Sequence, residues 1–191
     1  MRLIYQAPDE GVKAILLALK WTGLTVQKRA DNAFIVTLQI DAQDNVGNTI
    51  EVMGELSIMR YIMEQSPFAG SSNLHLEEWI IYRLKQLASE CPKAAIKTNK
   101  ELIAAVRHLE QSLNGDFIGG SHPGVADFLS FSYLLQFFVG NPWTVKTFPL
   151  LAESYAKLSE TFGNVLEELG EKAQILKIKK KQENTEPNQN S

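Results

Sequence analysis

The sequence predicts an α/β unit followed by an all-α unit. Three observations carry this. The first third holds short β-branched runs around one amphipathic helix. The composition shifts at Gly70-Ser71-Ser72-Asn73. Beyond that point apolar residues recur every three or four positions, with no further strand-like run. The expected boundaries are an α/β unit over 1–68, a helical unit over 74–176 and a polar, basic tail over 177–191.

Residues 2–6 read as a short buried strand ended by Pro8-Asp9. Asp9 is placed to cap a helix whose apolar positions are Val12, Ile15, Leu16 and Leu19, and Gly23 ends that helix. Residues 25–29 and 33–40 read as strands. The turn chemistry of residues 41–48 then forms a hairpin with a strand at 49–53. A helix over 55–66 is stopped by Pro67.

In the second unit, residues 74–90 are helical, with Leu76, Trp79, Ile80, Arg83, Leu84 and Leu87 along one side. Leu102, Val106, Leu109 and Leu113 define the next amphipathic helix, ended by Asn114-Gly115. Residues 125–139 are almost wholly apolar or small, the mark of a helix buried on most sides. Phe148, Leu151, Tyr155, Leu158 and Phe162 mark another, and a separate short helix is expected near 164–176. Trp143, after Asn141-Pro142, reads either as an exposed anchor or as a core residue. The tail is too poor in apolar residues to pack and is expected to be disordered.

Composition excludes some classes. A chain of 191 residues with 45% hydrophobic residues can bury a sizeable core. A net charge of -3 argues against a nucleic-acid surface spread over the fold. One cysteine, Cys91, leaves no intrachain disulfide and fits a reducing compartment. Asp9 and Glu10 interrupt any secretory leader, and no apolar run reaches the length of a bilayer span. A cytoplasmic protein without a membrane segment is expected. His75, His108 and His122 lie far apart and away from Cys91, so no metal site is expected.

Two stretches resemble a known family. Residues 50–62 read Ile-Glu-Val-Met-Gly-Glu-Leu-Ser-Ile-Met-Arg-Tyr-Ile, and residues 117–134 read Phe-Ile-Gly-Gly-Ser-His-Pro-Gly-Val-Ala-Asp-Phe-Leu-Ser-Phe-Ser-Tyr-Leu. The first resembles the last strand and third helix of glutathione-transferase-like proteins. The second resembles that family's buried sixth helix with its preceding loop. The resemblance covers about residues 1–175 and implies a truncated thioredoxin-like domain followed by a helical domain. It also gives Asp127 and Gly124 a structural role: Gly124 is the cap of a buried helix, and the acid three residues on returns to the cap N–H.

The resemblance implies a site for glutathione, and the sequence departs from it. Tyr5 matches the family's catalytic tyrosine or is a strand aromatic in the core. Val36-Thr37 stand where the family has a proline that binds the peptide, and Glu55 stands where a serine receives a carboxylate. Too few residues separate Arg29 from Ala33 for the family's second helix. The expectation is therefore a protein that is not an enzyme and needs no cofactor. It would serve instead as a docking domain for aminoacyl-tRNA synthetases or their accessory proteins. Residues 77–84, Glu-Glu-Trp-Ile-Ile-Tyr-Arg-Leu, resemble a stretch of those accessory proteins, and Met-Arg-Leu resembles the start of a methionyl-tRNA synthetase. Alternatives are a glutathione-dependent transferase using Tyr5 and an elongation factor 1-type subunit.

Partners implied by the resemblance are other domains of the same kind or a second copy. The helix over 55–66 carries Ile58 and Ile62 on one face and Leu56, Met59, Arg60 and Met63 on another. A helix apolar on two faces is either wholly buried or partner-facing, and adaptable methionines beside an arginine make the second set the expected interface. A related mode uses an arginine before an aromatic on a later helix; here Ser154 precedes Tyr155. Lys177, Lys179, Lys180 and Lys181 are a solvated linker or a weak tRNA contact.

Overall fold

The computed structural model describes residues 1–6, 9–31, 35–41, 48–67 and 69–168. Strand β1 (Arg2–Tyr5) leads into helix α1 (Glu10–Thr22), then β2 (Gln27–Ala30), β3 (Thr37–Asp41), β4 (Thr49–Met53) and α2 (Glu55–Glu64). The sheet order is β2-β1-β3-β4. The β1–β2 pair is parallel, as a crossover through a helix demands, and the other pairs are antiparallel.

Helix α1 starts and stops where side-chain chemistry sets it. The Asp9 carboxylate accepts the Val12 N–H at 2.8 Å, and Gly23 closes the helix in the left-handed region at φ 71. Leu3 and Leu38, paired across β1 and β3, are fully buried on the core face of the sheet. On the other face the register aligns Gln27, Arg2, Gln39 and Glu51 in one polar row, and Gln39 donates to Glu51 at 2.8 Å. Only residues 31–36 join β2 to β3, too few to span a covering helix. The polar row is the sequence's answer to an open face.

The helical unit begins with α3 (Leu74–Trp79), which runs through a π-helical segment (Ile80–Leu84) into α4 (Lys85–Glu90). A short 3-10 turn (Lys93–Ala95), α5 (Lys100–Gln111), α6 (Val125–Phe138), α7 (Pro142–Thr147) and α8 (Pro149–Glu168) follow. Every α6 residue except Gln136 is buried. This helix packs on α1 and α2 of the first unit and on α3, α4, α7 and α8 of its own, so one continuous core spans both units. Among the described residues no helix is long and apolar enough to cross a membrane.

Three elements differ from the sequence reading. The third strand starts at Thr37, not at 33. Helix α7 lies where the sequence reading assigned no element: Asn141 caps it and Pro142 sits in its first turn, both start signals, but six residues are too few to show a period. Trp143 at its start meets Phe148 edge-on with ring centroids 6.4 Å apart, which is the packing role. Helix α8 is one helix through Gly163, because Phe162 and Leu166 on either side of the glycine are both buried in the core. Residues 169–191, including the end of the expected last helix and the tail, lie outside the described residues.

Candidate functional site

A cleft of about 910 Å³ lies between the two units. The end of β1 and the start of α1 give it Tyr5 and Asp9. The β4–α2 junction gives Met53, Gly54 and Glu55, and the π-helical segment with the start of α4 gives Ile81, Tyr82 and Lys85. Gly54 caps α2 at φ 85, a conformation that favours glycine, and so turns the chain sharply from the strand into the cleft floor. The π-helical segment carries one extra residue per turn. It keeps Ile80 and Leu84 in the core and presents Ile81 and Tyr82 to the cleft. Three large apolar side chains on the cleft lining stay exposed: Ile35 at 57%, Met53 at 58% and Tyr82 at 76%.

The cations of the cleft, Arg60 and Lys85, are paired with carboxylates of the chain. Glu55 accepts from the Tyr133 hydroxyl at 2.7 Å and forms an ion pair with Lys85, whose ammonium also lies 5.7 Å from the centre of the Tyr133 ring. Burial, and then the nearby Glu55 carboxylate, push the Tyr133 hydroxyl far above the ordinary tyrosine range, so it is a permanent donor. Arg60 donates from Nε to Glu77 at 2.8 Å, and its Nη2 lies 4.0 Å from Glu78. Glu77 is fully buried and also accepts from Ser72 Oγ at 2.7 Å and from the Asn73 N–H at 3.1 Å.

The expected partner face is corrected by this arrangement. Met59 and Met63 are buried at 0% and 4% exposure, and Arg60 is committed to Glu77. Of the four, Leu56 and Arg60 line the cleft, and Arg60 does so while paired with Glu77. Helix α2 is apolar on two faces because it packs on α1 and on α6 at once, the wholly buried alternative for such a helix. Glu55 does not stand ready to repel an incoming carboxylate; its own carboxylate is taken up by Lys85 and Tyr133. Lys177, Lys179, Lys180 and Lys181 lie outside the described residues.

Asp127 has a structural role and does not line the cleft. It is buried and accepts three backbone N–H groups, from Ile118 at 2.7 Å and from Gly119 and Gly124 at 2.9 Å each. The cap foreseen at Gly124 is therefore joined by a staple on the preceding loop. Burial raises the Asp127 carboxyl to about 6 against the pull of those donors. Tyr155 is a core residue between Phe131 and Phe138, with ring centroids 5.3 and 5.1 Å away. His108 packs on Trp79 and His122 lies 6.3 Å from Trp21, ring centre to ring centre. Among the described residues no group of three His, Cys, Asp or Glu could hold a metal ion. Sequence reasoning passed over Lys85 and Tyr133, the partners of Glu55; no local pattern marks either.

No protein-family model and no curated protein matches the chain. Solved structures do. A poplar glutathione transferase F1 aligns at TM-score 0.66 and 15% identity, over 89% of this chain and 99% of that one. A class Gtt2 glutathione S-transferase of Vibrio parahaemolyticus aligns at 0.61 and 15%, over 87% and 97%. FzlA from C. crescentus aligns at 0.60 and 17%, over 87% and 92%. The chain has the glutathione-transferase fold, a thioredoxin-like domain with a helical domain, and identities this low carry the fold alone. Most of these neighbours are glutathione transferases, which are enzymes. That finding overturns the sequence-based expectation that the chain is not an enzyme.

Proposed function

We propose that this glutathione-transferase-like chain is a docking domain. It gathers aminoacyl-tRNA synthetases, or their tRNA-binding accessory proteins, into a complex that supports aminoacylation. The observation that carries this reading is the exposed apolar lining of the cleft, Ile35, Met53 and Tyr82. Exposed aromatic and methionine side chains around a concave surface are the composition of a protein interface. Tyr82 belongs to the same stretch, residues 77–84, that resembles the synthetase accessory proteins. Partners of this reading are other domains of the same fold or a second copy of the chain.

The test is capture of partners from the source cell by the full chain and by Tyr82→Ala. Synthetases or accessory proteins retained by the full chain and lost from the variant support the proposal. Elongation-factor partners, or retention by both, overturn it.

A second reading is favoured by the position of Tyr5, half-buried on the lining of the cleft, and by the enzymes among the neighbours. It is glutathione-dependent transfer in which the Tyr5 hydroxyl stabilises a thiolate. Turnover of glutathione with an electrophile that vanishes in Tyr5→Phe supports it; equal turnover in both overturns it.

A further inference from the structure

The charged side chains that line the cleft are Asp9, Glu55, Arg60, Glu78 and Lys85. Both cations among them are held by carboxylates of the chain itself, but the two holds differ. Arg60 is fixed by Glu77, which is fully buried and takes two further donors from the linker. Lys85 is fixed by Glu55, whose side chain is 15% exposed and lines the cleft, and which among the described residues also accepts from the Tyr133 hydroxyl. A partly exposed pair is held less firmly than a buried one with extra donors. The Glu55 carboxylate also lies over Gly11 of α1, where a Cβ would collide with it.

We propose that Glu55 is an internal ligand of the cleft. Its carboxylate occupies the place on Lys85 and Tyr133 that a ligand's carboxylate would take, and such a ligand binds by displacing it. The carboxylate is that of an acidic side chain or C-terminus of a docked protein, and acetate stands in for it as the probe. The contact is thus a built-in competitor that keeps the cleft closed to weak anions and yields to a well-placed one. This rests on reading the cleft as the binding surface.

The test is thermal unfolding in sodium acetate against sodium chloride at equal ionic strength, with acetate as the probe. Four proteins are compared: the full chain, Glu55→Ala, Gly11→Ala, and Glu55→Ala with Lys85→Met. Glu55→Ala removes the competitor. Gly11→Ala pushes the same carboxylate aside and leaves its charge in place. Acetate is expected to raise the midpoint of both single variants by about 2–4 °C over chloride, and to leave the full chain and the double variant unmoved. Single variants that respond no more than the full chain overturn the proposal, as does a double variant that responds equally. If Glu55→Ala does not fold, Gly11→Ala decides alone. Partner capture is read separately: loss of acetate rescue with capture intact sinks this proposal only, and rescue without capture sinks the docking reading only.

Discussion

Arg60 reaches out of α2 and donates to Glu77 of α3 at 2.8 Å, and Glu77 has no exposed surface. The same carboxylate takes Ser72 Oγ and the Asn73 N–H, so it ties the linker and both units to one point. A buried carboxylate tolerates this position only while its donors stay. Removing the arginine leaves an uncompensated charge in the interior.

Arg60→Ala is accordingly expected to destabilise the fold by about 3 kcal/mol. Glu77→Gln, which keeps an acceptor and removes the charge, is expected to cost less than Arg60→Ala. Denaturant midpoints of the two variants check the order. Equal small losses would show that the pair is a surface contact in solution.

Asp127→Ala orphans three buried N–H groups at once. Each unsatisfied group costs about 1–3 kcal/mol, so a loss of at least about 3 kcal/mol is expected. Chemical unfolding checks the size, and amide exchange at Ile118, Gly119 and Gly124 checks the place. Fast exchange confined to those three amides identifies the staple as the cause.

The same carboxyl gives the protein a pH dependence. Its folded value of about 6 lies above its ordinary 3.8, so the folded state holds the proton more tightly than the unfolded state. The stability it contributes is present below about pH 4 and is lost as pH rises through about 6. Two units correspond to about 3 kcal/mol. Unfolding free energies from pH 4 to 7 should fall with pH in the parent. In Asp127→Asn that part of the slope should vanish; an unchanged slope would assign it to other groups.

Tyr82→Ala separates binding from folding. The side chain is 76% exposed, and such a surface change stays within about 0.5 kcal/mol of the parent. Under the docking proposal the variant loses partners at an unchanged melting temperature. A fall in melting temperature would mean instead that Tyr82 packs within the fold.

The basic tail is proposed to add weak tRNA affinity. Each phosphate neutralised by Lys177, Lys179, Lys180 or Lys181 contributes a slope of about -0.7 to -0.9 in log affinity against log salt. A gel shift of the full chain against one truncated after Leu176 reads this slope. Equal affinity at low salt leaves the four lysines as a linker.

The sequence by itself determined what neighbouring residues decide. Asp9 and Gly23 bounded α1, the few residues between Arg29 and Ala33 left no space for the family's second helix, and Asp127 three residues after Gly124 marked the buried helix start. Each depends on groups a few positions apart, and spacing alone brings those together. The tertiary structure decided what covers α2 and what Glu55 meets. Periodicity showed that α2 is apolar on two faces, yet Met59 and Met63 point into the chain's own core instead of toward a partner, because α6 returns to that side. Glu55 and Tyr133 are 78 positions apart and hydrogen-bonded. No local pattern encodes that meeting; it exists only because α6 packs against both α1 and α2 and brings its tyrosine to the Glu55 carboxylate.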